Sequence, residues 1–177
     1  MSEASVTPDE DLSRRLAQIR LAVFDVDGTL TDGRVVYVGG EEQQTFSVKD
    51  GYALARLQPA GIAHVWITGR GCDATERRAK ELGVTELLLE VRNKTEALAE
   101  VQARLGVSRE ETLAMGDDIP DLEMRAAAGL FAAPSDAAPE VLERADFISE
   151  LTGGGGAARE VCRLLLLAQG AWPRSED

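Results

Sequence analysis

The 177-residue sequence predicts a three-layer α/β fold: an open parallel sheet with helices on both faces and one projecting β-hairpin. Three observations predict it. Short continuous apolar runs recur along the chain, the form taken by strands buried on both faces. Helical patterns separate these runs, and glycines close several of them. The length suits one domain with a substantial core and leaves little room for a second.

Taken in order, the opening MSEASVTPDEDLSRRLAQIR is polar and acidic before its first basic pair. It lacks the basic-then-apolar order of a secretory signal. Residues 1–19 read as an arm leading into a short helix near Leu12–Gln18. The apolar runs are Leu21–Phe24, Ile62–Ile67, Glu86–Leu89, Thr112–Met115, Gly129–Ala132 and Asp146–Ile148. The intervening helical patterns are Gly51–Gln58, Cys72–Leu82, Lys94–Leu105, Pro120–Ala127, Pro139–Glu143 and Ala157–Ala168, with stops at Gly61, Gly83, Gly106 and Gly129. Such alternation gives right-handed crossovers and three layers. One segment breaks the rhythm: Arg34–Val38, Gly39-Gly40 and Glu41–Val48 read as a hairpin turned by the two glycines. Its apolar positions, Val35–Val38 and Thr45–Val48, fit either packing on the domain or an interface between copies. Gly153–Gly156 reads as a flexible joint or as backbone that approaches something closely. The domain spans 20–168, with the hairpin at about 34–48, and residues 169–177 form a loose tail in which Trp172 is unusual.

Nineteen Lys plus Arg against 31 Asp plus Glu give a net charge of −12. That argues against a general nucleic-acid binder and against docking on anionic lipid. An anionic substrate would be repelled by this field unless a local positive centre overcame it. Two cysteines, Cys72 and Cys162, cannot build a multi-bridge framework and fit reduced thiols in a cytoplasmic protein. No run approaches the length of a membrane span.

Ligands of open α/β sheets bind beyond the carboxyl ends of the strands. Three strands here end in polar groups: Asp25-Val-Asp27-Gly28-Thr29, Thr68-Gly69-Arg70, and Gly116-Asp117-Asp118 with Asp121 after it. Brought together, these carboxylates repel one another, and a hard divalent cation removes the conflict. The cluster therefore reads as a Mg²⁺ site for phosphate chemistry, which also answers the charge problem. A carboxylate beside such a metal can attack phosphorus. An acid two residues on, in extended chain, points to the same side and can protonate the leaving oxygen. Each piece has an ordinary reading as well. Asp-x-Asp-Gly is a common turn or a calcium-loop fragment, Asp117-Asp118 suits a helix cap, and Thr-Gly is a common strand exit. His64 fits a core histidine, and Cys72 has no partner for nucleophilic work.

These residues resemble the haloacid dehalogenase superfamily of phosphohydrolases, from Leu21 to about Leu167. Phe24–Leu30 looks like its first motif, Thr68 its second, Lys94 its third and Gly116–Asp121 its fourth. The resemblance implies the Rossmann-like core of that superfamily. It implies Asp25 as nucleophile, Asp27 as general acid/base, and Thr68 and Lys94 on the phosphoryl oxygens. It implies Mg²⁺ on the Asp25 carboxylate, the Asp27 carbonyl and Asp117, with Asp118 and Asp121 supporting. Lys80 competes with Lys94 for the ammonium role but sits on a charged helical face. No interval can hold a cap domain, which implies the capless type and assembly of copies, as tetramers, to roof each site. Leu30–Gly33, Phe46–Gly51, Ile67–Arg70, Glu76–Ala79, Asp136–Pro139 and Gly153–Cys162 are similar to one capless branch. That branch removes the 8-phosphate of an octulosonate sugar acid on the route to lipopolysaccharide. Phosphatases of nonulosonate 9-phosphates are a related alternative. Substrate-binding candidates are Gly69, Arg70 and Arg78. Arg70 could pair with the sugar carboxylate or be an ordinary surface arginine. Departures are Gly155 in place of arginine, Thr29 in place of valine, and the short tail. A non-catalytic interaction protein on the same scaffold, and a phosphotransferase, stay open on sequence alone.

Overall fold

The computed structural model describes residues 10–173. Apolar runs become strands where they were expected. Strand β1 (Leu21–Phe24) lies at the centre of a six-stranded sheet with β4 (Ala63–Ile67), β5 (Glu86–Leu88), β6 (Thr112–Met115), β7 (Leu130–Ala133) and β8 (Phe147–Ile148). The spatial order is β5-β4-β1-β6-β7-β8, and each pair is parallel. Strand side chains alternate between two cores, as the pleat requires. Ala22, Phe24, Trp66, Leu113 and Met115 pack under α1 (Glu10–Leu16), α2 (Val48–Leu54), α3 (Asp73–Leu82) and α7 (Ala157–Ala168). Leu21, Val23, Val65, Ile67 and Ala114 pack under α4 (Lys94–Leu105), α5 (Leu122–Ala127) and α6 (Pro139–Leu142). Those are the three layers, and among the described residues there is no cap domain.

The hairpin is β2 (Val36–Val38) and β3 (Glu41–Gln43), turned at Gly39 and Gly40 with φ of 62° and 91°. Positive φ at both central residues matches the right-handed twist of the arms and suits glycine. Its return arm is shorter than expected. Ser47 accepts hydrogen bonds from the Lys49 and Asp50 amides, so α2 begins at Val48, and the helix read over Gly51–Gln58 ends at Leu54. A side-chain cap won over the alternating pattern of Thr45–Val48.

Two further readings need correction. Gly129 does not close a helix. Ala128 does, in extended conformation, and Gly129 is needed because a Cβ there would lie 2.7 Å from the Arg109 carbonyl oxygen. The tail is not loose as far as residue 173. Gln169 donates to the Leu16 and Ile19 carbonyls at 3.1 and 2.8 Å, and Trp172 packs edge-on to Tyr52 beneath Arg159. The N-terminal arm over residues 1–9 and the last four residues lie outside the described residues.

Candidate active site

Strand β1 is flanked by β4 and β6, so the segments following all three emerge side by side. Asp25 leaves β1 with its amide bonded to the Met115 carbonyl. Its carboxylate is buried and takes the Lys94 ammonium at 2.5 Å. Lys94 opens α4 behind Asn93, which caps the helix by accepting the Glu96 amide. The same ammonium reaches Asp121 at 2.5 Å. Lys80, the competing lysine, is exposed on α3.

Asp117 comes from the other side. Its Oδ1 accepts the Thr29 hydroxyl at 3.1 Å. Its Oδ2 lies where a side chain at position 28 would be, since a Cβ on Gly28 would stand 2.1 Å from it. Glycine in the first motif therefore admits the aspartate of the fourth. Asp25, Asp117 and Asp121 each present an oxygen within 4.8 Å of the others. Asp121 spends its oxygens on protein donors, one on Lys94 and one on the Asp117 and Asp118 amides. Asp25 Oδ2 and Asp117 Oδ2 take no hydrogen bond from the described residues. Oxygen donors crowded in this way fit a small, hard divalent cation.

The electrostatics carry the same message. Burial, then Asp121, holds the Asp25 carboxyl well above the usual carboxylate range, against the pull of Lys94. Burial and Asp121 push Asp117 up to about 7. For Lys94, burial favours the neutral amine, but Asp25 and Asp121 outweigh it and raise the pKa. One ammonium thus does not balance three carboxylates, and a further positive charge would let all of them ionise.

Asp27 takes different partners. The chain is not extended past Asp25, as had been expected, but bends into a turn. The Asp27 carboxylate accepts from Gln44 Nε2 at 2.8 Å and from the Thr68 hydroxyl at 3.2 Å. Asp25, with Lys94, and Asp27, with Thr68, are thus two separately held carboxyl groups.

A family model described as haloacid dehalogenase-like hydrolase matches residues 85–161. The 3-deoxy-D-manno-octulosonate 8-phosphate phosphatase KdsC of Escherichia coli is 40% identical over 162 residues, which cover 90% of this chain and 86% of the relative. The crystal structure of the phosphatase of that name from Yersinia pestis is 40% identical, with a TM-score of 0.89, over 92% of this chain and 88% of that one. The Moraxella catarrhalis phosphatase, solved with magnesium ion, phosphate ion and a KDO molecule, is 36% identical, also with a TM-score of 0.89, over 92% of this chain and 94% of that one. The chain belongs to this family of haloacid dehalogenase-like phosphatases. It is a phosphoric monoester hydrolase, and its six-stranded sheet is the core of that superfamily.

Around the carboxylate cluster the remaining expected residues scatter. Gly69 and Arg70 follow Thr68 directly, and the Arg70 amide bonds the Thr68 hydroxyl at 3.1 Å. The Arg70 guanidinium is exposed and paired with Glu42 of the hairpin at 2.6 Å. None of the Arg78 hydrogen bonds goes to the carboxylate cluster. Its guanidinium donates to the Ser47 carbonyl and to Glu81, each at 3.3 Å, and occupies the space that a Cβ on Gly51 would need. Asp118 is exposed and caps the turn that follows it, the ordinary reading of that residue. His64 is a core histidine: it accepts the Trp66 indole N–H, and burial lowers its pKa to about 3. Two participants were not foreseen. Glu123 accepts the Lys94 amide at 2.7 Å, and Gln44 holds Asp27. Neither sits in a motif, and no local pattern marks them.

Proposed function

We propose that this phosphatase hydrolyses 3-deoxy-D-manno-octulosonate 8-phosphate to the free sugar acid and inorganic phosphate, with Mg²⁺, through an aspartyl-phosphate on Asp25. The observation that carries the reading is the Asp25–Lys94–Asp121 ion cluster, with Asp117 seated against Gly28 beside it. Asp25 attacks phosphorus, and the bond from phosphorus to the ester oxygen breaks. Asp27 gives its proton to the departing alkoxide. It then takes a proton from the water that attacks the aspartyl-phosphate, which releases phosphate and restores both carboxyl groups. Thr68 and Lys94 bind the phosphoryl oxygens, where Lys94 also offsets charge developing in the transition state. Mg²⁺ would be held by the Asp25 carboxylate, the Asp27 backbone carbonyl and Asp117, and would supply positive charge for the phosphoryl group. Asp121 and Asp118 support this shell.

Arg70 is the candidate partner for the sugar carboxylate, because its planar fork suits a carboxylate and it stands two residues from Thr68. Engaging substrate requires it to leave Glu42. Arg78 and Gly69 complete the proposed substrate contacts, Arg78 from this subunit or a neighbour. The exposed hairpin supports a homotetramer in which neighbours roof each site. A place in the cytoplasm agrees with the free cysteines.

The test is a phosphatase panel run with and without Mg²⁺, comparing the octulosonate 8-phosphate with nonulosonate 9-phosphates and generic esters. The reading expects the octulosonate to lead in kcat/KM, and Asp25→Asn to abolish turnover while the fold is kept. Near-wild-type turnover by that variant would remove Asp25 as nucleophile. No phosphate release from any ester would favour a non-catalytic role.

A further inference from the structure

Gln44 holds the Asp27 carboxyl from a part of the chain that carries no sequence motif. It follows β3, beyond the last paired residue of the hairpin. Its Nε2 amino group donates to Asp27 Oδ1 at 2.8 Å. Its Oε1 accepts the hydroxyl of Thr75, a buried residue in the first turn of α3. An ionised carboxylate only accepts, so the amino end of the amide faces Asp27, and the Thr75 hydroxyl, which can donate or accept, anchors the other end. The other carboxylate oxygen, Asp27 Oδ2, faces the Thr68 hydroxyl at 3.2 Å. The hairpin is clipped down at a second point by the Glu42–Arg70 pair.

This arrangement is asymmetric. An amino group cannot accept a hydrogen bond, so while Gln44 Nε2 faces Asp27 Oδ1 that oxygen serves as the acceptor. A proton carried by Asp27 therefore resides on Oδ2, the oxygen beside Thr68. A hydroxyl can turn to accept as well as donate, so Thr68 tolerates either state. We propose that Gln44, anchored by Thr75, is a positioning residue for ester cleavage: its amino group holds the Asp27 carboxyl by Oδ1 and leaves Oδ2, the oxygen beside Thr68, for the transferable proton. The inference rests on the reading of Asp27 as general acid/base. The hairpin then has a role in the chemistry beyond shape, since the residue after β3 aims the acid.

The experiment compares kcat/KM for two esters with Mg²⁺ present. The octulosonate 8-phosphate leaves as an alkoxide and needs the proton. p-Nitrophenyl phosphate leaves as a stabilised phenolate and needs it little. Gln44→Met keeps the length and removes the donor. It is expected to lose about tenfold on the alkyl ester, the low end of the 10²–10⁴ range for acid–base catalysis being lost only in part, and no more than about twofold on the aryl ester. Thr75→Val, which touches neither Asp27 nor substrate, is expected to show the same preference with a smaller loss. It carries the test alone if Gln44→Met does not fold. Asp27→Asn run beside them separates two failures. If Asp27→Asn is selective for the alkyl ester while both other variants lose equally on the two esters, Gln44 and Thr75 act only on structure and the proposal falls. If Asp27→Asn is itself unselective, the acid/base reading falls and takes the proposal with it.

Discussion

A Cβ on Gly153 would stand 1.7 Å from the Gly28 carbonyl oxygen, so the glycine turn before α7 lies directly against the loop that carries Asp27. Gly154 completes the contact by donating its amide to the Thr29 carbonyl at 3.1 Å, with φ at +62°. The run of glycines is therefore a backbone wedge under the first motif. Gly153→Ala must displace that loop. It is expected to lose about 1–3 kcal/mol in a denaturant melt, as for other overpacking changes, and to lower kcat/KM. Gly155→Ala meets the end of the Thr152 side chain first, which can rotate away, and should be nearly neutral in both measurements. Equal effects at the two positions would show that the contact with Gly28 is not what matters.

Gly156, the residue before α7, has no side chain to cap the helix, and the cap comes from α2 instead. Asp50 Oδ1 accepts the Arg159 amide at 2.7 Å, while Asp50 Oδ2 is buried without a partner. Burial raises the Asp50 pKa, against hydrogen bonds from the Arg159 backbone and Ser47. A raised folded-state value means that the native protein keeps this proton above pH 3.8, where the unfolded chain has lost it. Stability from this group therefore falls as pH rises from there through the folded value. Asp50→Ala, which removes the cap, is expected to cost about 1 kcal/mol or more. Asp50→Asn keeps an acceptor and should cost less at pH 7. The wild type should gain on Asp50→Asn as the melt is moved from pH 7 toward pH 4. A gap that widens in the other direction would contradict the sign of the shift.

The carboxylate centre carries stored repulsion in the metal-free protein. With Asp117 at about 7 and Asp25 also raised, the folded state binds more protons than the unfolded chain between pH 3.8 and about 7. Metal-free stability should therefore decline across that window as pH rises. Asp117→Asn should flatten the decline and raise the metal-free melting temperature at pH 7. It should also remove the rise that Mg²⁺ gives the wild type, which reaches about 2.7 kcal/mol at a hundredfold excess over Kd. Thermal melts in EDTA and in Mg²⁺ read both effects. An Asp117→Asn protein still stabilised by Mg²⁺ would place the ion elsewhere.

What could be read from sequence follows from how local each cause is. Strands β1 and β6 and helices α4 and α7 stand at the residues expected of them, because apolar runs and flanking caps are local signals. Asp25, Thr68 and Asp117 stand out as candidates because each follows a strand, Lys94 rests on the family resemblance, and the topology brings Asp25, Lys94 and Asp117 together. Gln44 was not, since its meaning comes from Thr75, 31 residues away. The partners of Arg78 were hidden for the same reason: only the folded chain shows that Gly51 is small so that a guanidinium can lie over it. The pleat argument does not apply to Asp27, because the chain bends after Asp25 and is not extended there.

The hairpin leaves one surface uncovered. Tyr37 is 68% exposed and Val38 62%, with Val35 and Val36 close to half exposed, and β2 pairs only with β3. An isolated two-stranded ribbon is marginal in water, and four consecutive apolar residues exposed on both of its faces are the mark of a covered surface. A second copy of this chain is the occupant expected of it. The double variant Tyr37→Lys, Val38→Asp should therefore reduce the mass seen by light scattering from that of the proposed tetramer. It should also lower turnover of the octulosonate 8-phosphate, because Glu42 and Gln44, which clip Arg70 and Asp27, hang from the same two strands. A variant of unchanged mass would move the interface away from the hairpin. A variant of reduced mass with full turnover would show that the strands hold their clips without a neighbour.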